Sequence, residues 1–171
     1  MGRPRFGTDG VRGVANADLT PELALAIGRA AARVLGAPTF LVGRDTRRSG
    51  TLLQAALAAG LAAEGADVLD LGVLPTAGVA HCAADRSTPA AMVSASHNPF
   101  ADNGIKLFGT TGTKLATSTE GVIEAELDVL LGRSGDDTRP GPRPAPRPET
   151  GPGLAPARRG PVGASVGTVG A

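Results

Sequence analysis

The chain has 171 residues, a net charge of +1, two histidines and one cysteine. That length suits one domain of ordinary size, with room for a tail. The near-zero charge supplies no global field to attract nucleic acid or an anionic membrane, and Cys82 alone excludes an intrachain disulfide and any multi-cysteine zinc site. Aromatic residues are 2% of the chain and tryptophan and tyrosine are absent, so the core is expected to be aliphatic. The start has no apolar stretch of the signal-peptide kind, and the most apolar region, residues 52–74, is interrupted by Gln54, Glu64, Asp67 and Asp70. No membrane span is expected, and the cytoplasm is the default location.

In chain order, the first helix starts at Thr20-Pro21-Glu22: a hydroxyl cap, proline at the first helical position and an acid in the first turn. Leu23, Ile27, Ala30, Ala31 and Val34 recur at helical spacing, and Gly36 suits the stop. Residues 39–42 read as a buried strand. Residues 50–64 read as a second helix, with Leu53, Leu57 and Leu61 on one stripe and Gly65 at its end. A strand over 68–71 follows. Gly72-Val-Leu-Pro-Thr76 then leads into a helix over 76–84 whose His81 and Cys82 are expected to pack or face solvent rather than bind a ligand. Residues 90–95 and 105–108 are further strands, with a turn at Gly109-Thr-Thr-Gly112. The last helix covers 119–131, with Val122, Leu127 and Leu130 available for packing. Strands alternating with helices of this length imply a layered α/β domain.

After Gly132 the composition changes. Eight of the fourteen prolines lie from Pro140 onward, among Gly, Arg and Ala. Such a segment buries too little to offset its ordering entropy, so 133–171 is expected to be a disordered tail. Two origins stay open: a flexible extension, or GC-rich DNA read in a shifted frame.

The chemistry gathers in Ser94-Ala-Ser-His-Asn-Pro-Phe-Ala-Asp-Asn-Gly-Ile-Lys106. The segment follows a strand, and ligands of α/β sheets collect beyond the carboxyl ends of strands. A hydroxyl, an imidazole, amides, a carboxylate and an amine lie within thirteen residues, on a backbone shaped by Pro99 and Gly104. Acyl transfer by Ser96 and His97 is disfavoured, since neighbours in an extended segment point to opposite sides and no Gly-x-Ser-x-Gly elbow exists. Gly7, Gly10 and Gly13 lack the strand and the Gly-Lys-Ser/Thr element a nucleotide loop needs. Arg44, Arg47 and Arg48 suit either an anion patch or a domain-interface or loop-anchoring role.

The Ser-x-Ser-His-Asn-Pro run followed by Asn-Gly-x-Lys resembles the phosphoserine loop of the α-D-phosphohexomutases. Phe6-Gly-Thr-Asp-Gly-Val-Arg-Gly13, Gly43-Arg-Asp-Thr-Arg-Arg-Ser-Gly50 and Gly72-Val-Leu-Pro-Thr76 are similar to further segments of that family, in the same order. The form of the motifs looks most like the phosphoglucosamine mutase branch. The resemblance implies a first domain over 1–132, a mixed sheet between helices. It implies Ser96 as phosphoryl carrier, Lys106 as a proton-moving lysine, His97 as a neighbouring active-site histidine and Arg12 as an active-site arginine for phosphate. It also implies a phosphosugar substrate, passage through a 1,6-bisphosphate, and Mg²⁺ held by the seryl phosphate and an Asp-Gly-Asp loop in a second domain. That loop, the sugar-discriminating Gly-Glu-x-Ser-Gly loop and the Arg-Pro-Ser-Gly-Thr phosphate site do not occur in this sequence. This chain alone is therefore expected to be inactive. The alternatives are a non-catalytic module that forms a homodimer or pairs with a full-length mutase, and a truncated product without function.

Overall fold

A computed structural model describes residues 6, 7 and 10–132. The expected tail at 133–171 lies outside the described residues. The elements are β1 (Val11–Val14), α1 (Pro21–Leu35), β2 (Thr39–Arg44), α2 (Gly50–Ala63), β3 (Asp67–Val73), α3 (Thr76–Asp85), β4 (Ala90–Val93), β5 (Asp102–Phe108) and α4 (Thr117–Leu130). The five strands form one mixed sheet in the order β1-β5-β4-β2-β3. β3, β2 and β4 run parallel, whereas β5 is antiparallel to both β4 and β1.

Each helix expectation has a local cause on view in α1. Thr20 sits in extended backbone and its hydroxyl accepts from the Leu23 amide at 3.2 Å, while Gly36 closes the helix in left-handed conformation. β2 and β4 are buried along almost their whole length, as central parallel strands require. β1 was not expected. Its Val-Arg-Gly-Val run carries only two apolar residues, and it becomes a strand by pairing with β5 at the sheet edge. The expectation for α4 also needs one correction. Val122 is 55% exposed, and its neighbour Ile123 is fully buried with Leu127. A separation of five from Val122 to Leu127 misses the helical repeat of about 3.6, whereas four from Ile123 matches it.

The sheet divides the interior in two. One face packs Val11, Phe40, Val42, Ala91, Val93, Ile105 and Leu107 against α1, α2 and α4. The other packs Leu41, Ala90, Met92 and Phe108 against Val79 and Ala83 of α3. His81 is exposed and Cys82 is half-buried against this second cluster. β2 connects through α2 on one face to β3, and β3 returns through α3 on the other face to β4. The chain therefore reverses its winding between β2 and β4, and the crevice at their carboxyl ends is the place where α/β sheets bind ligands. Among the described residues no helix is long and apolar enough to cross a membrane.

Candidate functional site

The loops after β2 and β4 meet at that crevice, joined by the Asp45 amide donating to the Val93 carbonyl at 3.1 Å. Because β5 is antiparallel to β4, its first residues return to the same end, and Val14 at the end of β1 lies opposite Asp102. Four strands thus bring their functional ends to one rim.

Ser96 is exposed and holds a left-handed backbone, with φ of 55°. For a residue with a Cβ this conformation costs about 1–2 kcal/mol, so the surroundings must impose it. They do so with hydrogen bonds. The Ser96 amide donates to Ser94 Oγ at 3.0 Å, and the Ser94 hydroxyl donates in turn to Asp45 Oδ2 at 2.7 Å. Asp45 also accepts from the amide and Nε of Arg47, at 3.0 and 3.2 Å. The Arg47 guanidinium lies under the loop and donates to the carbonyls of Ser96, Asn98, Pro99 and Asp102 at 2.7–3.0 Å. Its side chain is 11% exposed.

His97 is exposed beside Ser96, with Nδ1 3.5 Å from Ser96 Oγ. The segment is not extended at Ser96, so the geometric reason for keeping these two side chains apart does not hold. The distance is at the outer limit of a hydrogen bond. Arg12 reaches the loop from β1: its Nη1 donates to Asn98 Oδ1 at 3.1 Å, and Asn98 Nδ2 donates to Asp102 Oδ2 at 3.0 Å. Register places Arg12 opposite Gly104, and Lys106 opposite Met92. Directly opposed residues share a face, as do residues two apart on one strand, so Arg12, Gly104 and Lys106 lie on the α3 side of the sheet. Lys106 is partly buried there. A side chain at 104 would run into the Ser94 carbonyl and Arg12 Cγ, at 2.6 and 2.9 Å, so only glycine lets Arg12 cross at this height. Beneath, Asn103 is fully buried; it donates to Ser49 Oγ at 2.9 Å and accepts from the Gly104 amide at 2.8 Å.

The structure therefore gathers Ser96, His97 and Arg12 at one loop and sets Lys106 on the sheet face below it. Asp45, Ser94 and Asn98, which hold that loop, were not singled out from the sequence. The available signal was topological: Asp45-Thr-Arg47 follows the strand adjacent and parallel to the one that precedes Ser96. Among the described residues no group of three or more His, Cys, Asp or Glu side chains could hold a metal ion. The residues present thus do not make a Mg²⁺ site by themselves. Chemically, the rim offers an exposed primary hydroxyl, the Arg12 cation and a pinned backbone, with Lys106 on the sheet face below, a set suited to binding an anion.

Residues 3–130 match the family model described as phosphoglucomutase/phosphomannomutase, alpha/beta/alpha domain I. A phosphoglucosamine mutase of Shouchella clausii is 54% identical over 142 residues, covering 80% of this chain and 30% of the relative. One from Saccharopolyspora erythraea is 56% identical over 135 residues, covering 75% and 30%. Among solved structures, a phosphoglucomutase/phosphomannomutase family protein from Burkholderia thailandensis superimposes with a TM-score of 0.65 at 30% identity, over 77% of this chain and 31% of that one. The chain spans about 30% of the length of the curated relatives it matches. It belongs to the phosphoglucomutase/phosphomannomutase family, whose α/β/α domain I it contains.

Proposed function

We propose that residues 1–132 are the phosphoserine domain of a phosphoglucosamine mutase, with Ser96 as the group that carries phosphate between glucosamine 6-phosphate and glucosamine 1-phosphate. The observation that carries this reading is the exposed Ser96 hydroxyl on a left-handed backbone at the β2/β4 switch point, facing the rim that Arg12 joins. The relatives named phosphoglucosamine mutase support the choice of sugar.

In this reading the Oγ–P bond of phosphorylated Ser96 breaks as a sugar hydroxyl bonds to phosphorus, giving a 1,6-bisphosphate and a free serine. The sugar hydroxyl's proton leaves through Lys106 or His97. The bisphosphate turns over in the site, and its other phosphoryl group returns to Ser96 by the reverse chemistry. Phosphoserine carries about −1.5 to −2 charge and three acceptor oxygens, which in this reading the Arg12 guanidinium would help to neutralise. Phosphoryl transfer asks chiefly for positioning and charge compensation, so a pinned loop with cations is adequate machinery. Mg²⁺, where bound, would be held on this chain by phosphorylated Ser96 and would supply neutralisation of the phosphoryl charge; the steps above use this chain's side chains alone. By itself the chain is expected to give no sustained turnover in a coupled assay. Orientation of the sugar can account for about 7–11 kcal/mol of barrier, and the sugar-discriminating Gly-Glu-x-Ser-Gly loop does not occur in this sequence.

The test joins this chain to the remainder of the Saccharopolyspora relative, adds glucosamine 1,6-bisphosphate and weighs the protein. One phosphoryl group is expected on the peptide containing Ser96. Ser96→Ala is expected to remove it and to lower turnover by on the order of 10⁴-fold or more. A Ser96→Ala enzyme that still isomerises at the parent rate overturns the reading.

A further inference from the structure

We propose that Arg47 is the positioning residue of the serine loop: its guanidinium latches Ser96 in left-handed backbone and so fixes the direction in which the hydroxyl leaves the chain. The proposal rests on the reading of Ser96 as phosphoryl carrier, but the latch is a property of this chain and is testable without that reading.

Arginine has five N–H donors in a rigid planar fork. Here Nε donates to Asp45 Oδ2, Nη1 to the carbonyls of Pro99 and Asp102, and Nη2 to those of Ser96 and Asn98. The five hydrogen bonds match the five donors. Four of them end on backbone carbonyls within seven residues, which turns those carbonyls inward under the loop. Asp45 compensates the charge, so the cation stays beneath the backbone rather than at the rim with Arg12.

The consequence for Ser96 is specific. Its carbonyl is held by Arg47 at 2.8 Å, and its amide is held by Ser94 Oγ at 3.0 Å, itself anchored on Asp45. Both peptide groups flanking the serine are thereby tied to one Asp45–Arg47 pair. Only the side-chain torsion χ1 remains free, and it has three staggered wells. A phosphoryl carrier needs that restriction, because a misplacement of about 1 Å at a reacting centre can cost about 10²-fold in rate. Lysine at position 47 has three donors on a single point and cannot span four carbonyls.

The decisive experiment compares the 171-residue chain with its Arg47→Lys and Ser96→Gly variants and the double variant. In Arg47→Lys the Cα and Cβ resonances of Ser96 are expected to leave left-handed values. Amide exchange within residues 96–102 is expected to accelerate about tenfold or more, with the amides of β2 and β4 unchanged. Glycine adopts a φ of 55° without steric cost, so the loss of stability caused by Arg47→Lys is expected to be smaller in the Ser96→Gly background. If Arg47→Lys does not fold, Asp45→Asn, which withdraws the carboxylate under the fork, is read with the same signals. Ser96 resonances and loop exchange that match the parent, or an equal stability loss in both backgrounds, overturn the latch. That failure leaves the phosphoryl reading standing. Conversely, a latch that holds while no phosphate ever appears on Ser96 defeats that reading alone.

Discussion

The two faces of the sheet are held by different physics. On the face of α1, α2 and α4 the contacts are apolar and continuous, and α1 meets α2 backbone to backbone through Gly28 and Gly60. On the other face α3 packs Val79 and Ala83 against Leu41, Ala90, Met92 and Phe108. The carboxyl-end rim is organised instead by Asp45, Arg47, Ser94 and Asn98. Burial is non-directional and roughly proportional to area, so it can place a sheet but cannot choose one loop conformation over another of equal burial. Hydrogen bonds lose strength steeply with angle, and four of them aimed at neighbouring carbonyls can hold a serine at positive φ. The packed face fixes where the strands end, and the polar rim fixes what the loop does there.

Removing packing tests this division most severely. Leu57 is fully buried on α2, and Leu57→Ala is expected to destabilise the chain by about 3 kcal/mol through lost transfer energy and an unfilled cavity. The measurement is urea denaturation followed by far-UV circular dichroism, because the chain has no tryptophan or tyrosine to report by fluorescence. The loop's pattern of amide protection is expected to persist up to the global transition; selective melting of 96–102 in this variant would break the comparison. Gly60→Ala is the next largest perturbation. A Cβ there runs into the Leu25 carbonyl, which belongs to a helix backbone and cannot rotate away. Alanine gains about 1 kcal/mol of helix propensity over glycine, and forced separation of α1 and α2 costs more than that. The net expectation is a loss of about 2 kcal/mol in the same denaturation experiment. A gain would show that the helices separate freely.

The same division explains what could be read from the amino-acid order. α1 is legible because its signals are local: Thr20 caps, Pro21 sets the first turn, and Gly36 ends the helix. β2 and β4 are legible as short apolar runs bounded by turn residues. β1 is not, because a Val-Arg-Gly-Val run becomes a strand only when β5, some ninety residues on, offers an edge. Val122 misleads because hydrophobicity alone ignores phase, and counting back from Leu127 reaches Ile123. Ser96, His97, Lys106 and Arg12 stand out through their motif. The conformation of Ser96 does not, since the side chain that imposes it lies 49 residues earlier and meets it only through the β2/β4 pairing. Side-chain to backbone contacts across adjacent parallel strands leave no periodic trace.

The smallest effect sharpens the comparison by adding charge to the packed face. Glu64, at the end of α2, has a side chain only 5% exposed and pairs with Arg29 Nε at 2.6 Å and Arg33 Nε at 2.9 Å; Arg33 also reaches Glu126 at 2.7 Å. Burial pushes the Glu64 carboxyl up, but the hydrogen bonds from Arg33 and Arg29 outweigh it and hold the group below its ordinary value of 4.5. A carboxyl lowered on folding stabilises the protein above its unfolded value, and that stabilisation disappears as pH falls through the folded value. The parent is therefore expected to lose stability as pH drops below about 4.5, with part of that loss coming from Glu64. Glu64→Gln removes the titration while leaving the two arginines facing each other. It is expected to cost about 1 kcal/mol at pH 7, with a shallower decline in acid, so that the two stability curves approach each other as pH falls. Denaturation midpoints across pH 3–7 check this, and curves that stay parallel throughout would place the acid sensitivity elsewhere. The serine loop uses Asp45 in a comparable pair with Arg47, yet there the arginine spends four of its donors on backbone. Between α1, α2 and α4 the arginines clamp helices through carboxylates, whereas at the rim one arginine shapes a loop.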